Sequence, residues 1–284
     1  LTDLNDYSIG IEDVLKEHFD EENIVYWMAF QILMGNVDTQ NRNVYLYSPL
    51  NSDIWYFIAW DNDGCLMRPE YELRNFSDQN SWEKGISNYW GNILFQRCLK
   101  SRSFREKLND AILDLREYLN KDMLTSKIES YKNVLKPYLY LMPDAEYEPL
   151  TSEQYDQIAA SLPDEIEKNY QLYLESLETP MPFYIGVPTI DGDKLKFNWD
   201  VSYDLDAEDI TYSVEVAGDY LFRDVIYQNT TLTVPEAEMD LPKAGQYFVR
   251  VRATNTSGKT QDAFDYYVTD EGTLWYEVFL HNRR

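Results

Sequence analysis

The chain has 284 residues, 44% of them hydrophobic and 15% aromatic, which is enough to bury sizeable cores and excludes wholesale disorder. With 50 acidic against 25 basic residues, the formal net charge is -25, a balance that repels phosphate backbones and anionic lipid and argues against a nucleic-acid or membrane-surface partner. The same balance suits a secreted or surface protein, or one that handles cations. Zinc is not expected, because Cys65 and Cys98 form no CxxC and no Cys/His cluster. The sequence leaves open whether those two pair as a disulfide or stay separate thiols. His18 and His281 stand alone, so a hydrolase triad is unsupported. No run approaches the ~20 apolar residues of a membrane span. The chain opens on Leu1 with no signal peptide, and reads as a piece of something longer.

Residues 11–34 read as helical, with Asp20, Glu21 and Glu22 placing negative charge at the start of a second helix. From Ile24 to Met34 the residues are apolar almost all round, as in a buried helix, and Gly35-Asn36 ends it. Val44–Tyr47 and Trp55–Trp60 are short aromatic and β-branched runs separated by Pro49, Asn51, Ser52 and Asp53, the pattern of a hairpin. Gly64, Pro69, Asn75, Asp78, Asn80 and Gly85 make 62–90 irregular. Helical patterns return at 91–120, 122–140 and 151–178, with Pro137 and Pro143 closing the middle one. Thr179 to Pro188, TPMPFYIGVP, is the best domain boundary. Beyond it Lys194–Asp200, Ile210–Val216 and Tyr247–Ala253 alternate as strands, and turn signals recur about every ten residues, as in a β-sandwich.

Gly35 to Asp63 carries the chemistry. Phosphoryl transfer needs a carboxylate near the attacking hydroxyl and oxygen ligands that hold Mg²⁺ against nucleotide phosphates. Protein kinases supply an Asp, an Asn five residues later, a hairpin and a second Asp. Here Asp38 is followed by Asn43 at that interval, then by the hairpin pattern, then by Asp61 in AWDNDG. Asn36-Val37 stands where His-Arg is usual, and Asp61-Asn62-Asp63 replaces Asp-Phe-Gly, so a mainstream protein kinase is a poor match. An EF-hand is unsupported, since Ala59 occupies the first ligand position.

GNVDTQNRNVYLY with IAWDND resembles the spore-coat CotH family of atypical kinases, and GNILFQRCLKSRSFREKL, Gly91 to Leu108, echoes a later helix of that family. The resemblance covers about residues 20–140. It implies that Asp38 is catalytic, orienting the acceptor hydroxyl or helping with metal. It implies that Asn43 and Asp61 ligate Mg²⁺ (or Mn²⁺) brought with ATP, with Asp63 supporting that ion or binding a second one. Three gathered carboxylates would repel one another, a penalty that a divalent ion removes. The implied partner is a protein substrate, phosphorylated on Ser or Thr, or a surface-assembly partner, and the implied place is extracellular or at a bacterial cell surface.

AGQYFVRVRATNTSG, Ala244 to Gly258, resembles the F strand and following turn of a fibronectin type III domain, with Trp199 at the family's core tryptophan position. Trp199, Val249 and Val251 are then expected in the core, with Arg250 and Arg252 facing water. The expected fold class is α+β and multidomain. Residues 1–179 form a mainly helical, kinase C-lobe-like domain with a short β-hairpin, and 180–284 form an all-β fibronectin type III-like sandwich. No glycine-rich phosphate loop or Walker motif precedes Asp38, so the kinase N-lobe is expected to be absent and the fragment inactive alone. The alternative is a non-catalytic extracellular structural or binding protein that retains the CotH fold.

Overall fold

The computed structural model of the chain describes residues 2–39, 42–66, 82–148, 150–269, 272–274 and 277–281. Contacts divide the chain into two compact units that interleave in sequence: Leu1–Leu66 with Arg97–Tyr173, and Met67–Gln96 with Leu174–Arg284. Pro69, Asn75, Asp78 and Asn80 lie outside the described residues. The helices, in chain order, are α1 (Thr2–Asn5), α2 (Ile11–His18), α3 (Glu21–Leu33), α4 (Ile93–Lys100), α5 (Arg102–Tyr118), α6 (Lys121–Leu139), α7 (Ser152–Ser161) and α8 (Glu165–Glu178). Strands β1 (Tyr45–Tyr47) and β2 (Tyr56–Ile58) form an antiparallel hairpin after α3. This helical part, followed by a region of antiparallel sheets, is the α+β two-part architecture expected from the sequence.

In the first unit α3 is the central element. Asp20 caps it by accepting from the Asn23 N–H at 2.9 Å, and its apolar run buries Ile24, Val25, Trp27, Met28, Ala29, Ile32 and Leu33. It packs along α5, whose Phe104, Leu108, Ala111 and Ile112 recur at helical spacing and are all buried. Buried Arg97 fastens the N-terminal turns, donating to the carbonyls of Leu4 at 2.6 Å and of Ile9.

Three helix expectations need correction. The pattern over 151–178 is two helices, α7 and α8, parted by a 3-10 turn, Leu162–Asp164, that carries Pro163. The pattern over 91–120 is two helices, because the Ser101 side chain accepts from the Phe104 N–H at 3.2 Å and starts α5 afresh. Arg105 then donates to the carbonyls of Leu99 and Lys100, satisfying the end of α4. Pro137 does not close α6. It lies inside the helix, which runs on to Leu139. A proline there forfeits one intrahelical bond, and the carbonyl that loses it belongs to exposed Asn133 near the helix end, where water can replace the donor.

The second unit holds strands β3 (Thr189–Asp191), β4 (Lys194–Asn198), β5 (Ile210–Ala217), β6 (Val225–Leu232), β7 (Glu236–Asp240), β8 (Gly245–Asn255), β9 (Thr260–Asp262), β10 (Tyr267–Thr269), β11 (Gly272–Leu274) and β12 (Glu277–His281). One antiparallel sheet runs β3-β4-β7 and another β12-β8-β5-β6, with β9 also on β8. Inward residues of both meet in one core: Leu195, Phe197 and Trp199 with Tyr212, Val214, Val249 and Val251. The outward arginines are paired across strands. Arg250 meets Glu215, its register partner, and Arg252 meets Asp262. Trp82 and Tyr184 both pack on Phe264 in this unit, with ring centroids 5.5 Å and 4.8 Å away.

Candidate active site

The loop bearing Asp38 is set by how α3 ends. Met34 is still helical, and Gly35 turns left-handed at φ +64. The Gly35 N–H donates to Ile32 O at 3.1 Å and the Asn36 N–H to Gln31 O at 3.0 Å, the paired bonds of a Schellman ending. Glycine is needed here for a second reason: a Cβ at Gly35 would lie 2.6 Å from Asn169 Nδ2, which itself donates to Leu33 O. Past this turn the Asn36 side chain accepts from the Asp38 N–H at 3.2 Å, and Thr39 Oγ1 donates to Asn36 O. Asp38 thus stands in a short 3-10 turn, Val37–Thr39, with its carboxylate exposed.

The hairpin is tethered to the same helix. Asn23 acts as an extra strand residue: its Nδ2 donates to Phe57 O at 3.2 Å, and its Oδ1 accepts from the Phe57 N–H at 2.6 Å. Trp55 bridges to the α2–α3 junction, donating to His18 O and accepting from the Asp20 N–H. Asp61 follows β2 in the left-handed region at φ 53 and precedes a second 3-10 turn, Asn62–Gly64, that contains Asp63. Asn43 also has φ 53. Asn and Asp tolerate that region better than other side-chain-bearing residues, and such outliers gather at functional sites.

The two turns meet. Asn62 Oδ1 accepts from both Gln31 Nε2 at 3.1 Å and Asn36 Nδ2 at 3.2 Å, while Asn36 Nδ2 also reaches Gln31 Oε1 at 3.1 Å. The Leu66 N–H returns to Met34 O at 2.7 Å. A side-chain carbon built at Gly64 would lie 3.6 Å from Asp38 Oδ2 and 3.4 Å from Asn36 Oδ1. So Asp38 lies against the turn that Asp61 opens and Asp63 occupies. Asn43 sits just before β1, across the hairpin register from the residues leading to Asp61. The three carboxylates are exposed, and the buried polar groups beside them are neutral amides. Exposed aromatic residues flank the site, including Tyr45 and Trp60, whose ring centroids are 4.9 Å apart.

Sequence reasoning missed the three amides. The available signal was Gln31, a polar residue in an otherwise apolar helical run. Elsewhere in this unit Asp3, Glu17 and His18 converge. His18 Nε2 and Asp3 Oδ2 are 2.7 Å apart, a hydrogen-bonding distance; two ligands of one zinc or magnesium stand about 3.0–3.4 Å apart. Cys65 and Cys98 are both free.

The family model described as CotH kinase protein matches residues 1–173. The chain belongs to the CotH kinase family. That match spans the Asp38 loop, the hairpin and the Asp61–Gly64 turn, and it assigns this CotH chain a kinase-related function. Kinase chemistry in general draws on a nucleotide and a divalent metal ion. No curated protein matches the chain. Among the described residues, no helix is long and apolar enough to cross a membrane.

Proposed function

We propose that the chain works as part of a CotH-like protein kinase, transferring phosphate from Mg-ATP, or Mn-ATP, to Ser or Thr of surface or coat proteins at or outside a bacterial cell surface. The observation that carries this reading is the approach of Asp38 to the Asp61–Gly64 turn. Asp38 accepts the hydrogen bond of the acceptor hydroxyl and orients it. Asn43, Asp61 and Asp63 offer hard oxygen donors, the set that magnesium and manganese prefer over sulfur or nitrogen. Asp61 and Asp63 are exposed and Asn43 half-buried, which fits the group, because an incoming nucleotide must reach them. When bound, the metal neutralises charge on the phosphate oxygens. We further assign 1–179 to this kinase-like domain and 180–284 to a fibronectin type III-like spacer. The β3-β4-β7 and β12-β8-β5-β6 strand orders and the buried Trp199 support the spacer assignment.

The test is incubation of the full-length protein with labelled ATP, Mg²⁺ and a Ser-rich acceptor. Asp61→Asn is expected to lower labelling by about a hundredfold or more, the scale at which removal of one preorganised charge acts on transition-state stabilisation. Labelling that is unchanged in Asp61→Asn sinks the assignment. A purely binding role is favoured by one observation, the exposed stripe of Tyr131, Val134, Leu135 and Tyr138 on α6. Calorimetry with Mg-ATP separates the two readings, since saturable binding counts against a role without nucleotide.

A further inference from the structure

We infer that buried Gln31 and Asn36 and half-buried Asn62 form an amide lock that positions the Asp38 loop against the Asp61–Gly64 turn. They are positioning residues for phosphoryl transfer, a role that rests on the kinase reading above. Each comes from a different element: Gln31 from the last turn of α3, Asn36 from the residue that completes its Schellman ending, and Asn62 from the turn after β2. Gln31 is fully buried and Asn36 is 2% exposed. Three hydrogen bonds of 3.1–3.2 Å link all three pairs of side chains. Asn36 has a fourth part, because its Oδ1 also holds the Asp38 N–H. One side chain therefore grips the Asp38 loop with its oxygen and the Asp61–Gly64 turn with its nitrogen.

The chemistry explains why amides are used. Burying an unpaired amide in an apolar helix face is costly, so Gln31 is stabilising only while its partners are in place. The lock is thus satisfied in one arrangement of the two turns and penalised in others, which makes that arrangement specific. A carboxylate at any of these points would bring a further negative charge beside Asp38, Asp61 and Asp63. Neutral groups hold the geometry without adding to that repulsion.

The experiment compares Gln31→Leu, Asn62→Ala and Asn62→Asp in the full-length protein. Gln31→Leu replaces the amide in α3 by an apolar side chain of similar size. Asn62→Asp keeps the doubly accepting oxygen that Asn62→Ala removes. Two readouts are taken: amide hydrogen exchange at Asp38 and Leu66 against the global unfolding midpoint, and kcat and KM for Mg-ATP in the labelling assay. Exchange at both amides is expected to quicken by about tenfold or more in Gln31→Leu and Asn62→Ala with little change in the midpoint. Their kcat is expected to fall about tenfold while KM changes less, because orientation rather than binding is lost. Asn62→Asp is expected to recover part of the protection that Asn62→Ala loses, because the accepting oxygen returns, and not all of it, because the added charge repels Asp38, Asp61 and Asp63. Unchanged exchange in the first two variants overturns the lock, as does faster exchange matched by an equal global loss. If the wild type does not label ATP acceptors, the kinase reading fails while exchange still decides the lock. If labelling proceeds and kcat is untouched by Gln31→Leu and Asn62→Ala, the positioning role fails while the kinase reading stands.

Discussion

Gly35 is the residue on which the Asp38 loop turns. Its φ of +64 is left-handed, and a Cβ there would meet Asn169 Nδ2 at 2.6 Å. Gly35→Ala should therefore destabilise the protein by about 1–2 kcal/mol for the backbone alone, and by more if Asn169 cannot move away. Denaturant unfolding measures it, and a midpoint at or above that of the wild type would refute the argument. At the same scale, burial pushes the Cys65 thiol up to about 12 and raises that of Cys98 as well. Both should stay almost unalkylated by iodoacetamide at pH 8 in the native protein and react fully once it is unfolded, since the thiolate is the reactive form. Fast native-state labelling of either would show that it is not shielded. The Asp38 and Asn43 interval and the Asp-Asn-Asp triplet were legible in the sequence because side-chain chemistry and spacing are local facts. The Gln31–Asn62 contact was not, because it joins residues 31 apart through a turn whose direction only the folded chain sets.

Among the elements, the β1–β2 hairpin depends on Asn23 more than on its own pairing. Each strand is three residues long, and β1 is exposed along its whole length. A two-stranded hairpin this short is marginal in water, so it relies on the paired Asn23–Phe57 bonds to α3, beside those of Trp55 to His18 and Asp20. Asn23→Ala should cost about 1–3 kcal/mol and speed exchange at the Phe57 amide ahead of global unfolding. No change at that amide would show that packing of Phe57 on Trp27, at 4.9 Å between ring centroids, suffices alone. In the second unit Glu208 accepts from the hydroxyls of Ser257 and Thr256 and from the Ser257 N–H, binding the turn after β8. These bonds, the Ser257 hydroxyl first, lower the Glu208 pKa below its ordinary 4.5. A depressed carboxylate stabilises the fold above its unfolded value and loses that contribution as pH falls through the folded one. The difference in melting temperature between wild type and Glu208→Gln should thus be present at pH 7 and shrink below pH 4.5; a difference that grows with acidity would reverse the assignment. The apolar run of α3 was readable from its unbroken length, and its stop from Gly35-Asn36. The break at Ser101 was not, because apolar spacing continues across it, and a serine starts a new helix only when its side chain turns to the backbone.

For the whole molecule, charge governs behaviour in solution. A net charge of -25 means that the folded chain repels itself and its copies. Raising ionic strength from about 0.01 to 0.15 M should increase the melting temperature, because screening relieves more repulsion than it removes from the mostly exposed ion pairs. A fall would mean that the surface pairs dominate. Near pH 4.3, the sequence pI, solubility should pass through a minimum. The division into a helical part and a region of antiparallel sheets was legible from the change in hydrophobic period around Thr179. The interleaving of compact units was not, because residues 82–96 carry no local mark that they pack with Phe264 and Tyr203, more than a hundred positions later.

Helix α3 holds the middle of β2 at Asn23 and the Asn62 turn at Gln31, so the same rod fixes two points eight residues apart. On an α-helix that interval is about 12 Å of length and a little over two turns of rotation. Side chains along it can be exchanged for others of similar bulk with modest effect. Inserting or deleting a single residue between Asn23 and Gln31 cannot be absorbed in that way, since it swings one anchor by about 100° around the axis relative to the other. The segment is a gauge whose length, more than its composition, decides whether the Asp61–Gly64 turn and the Asp38 loop face each other.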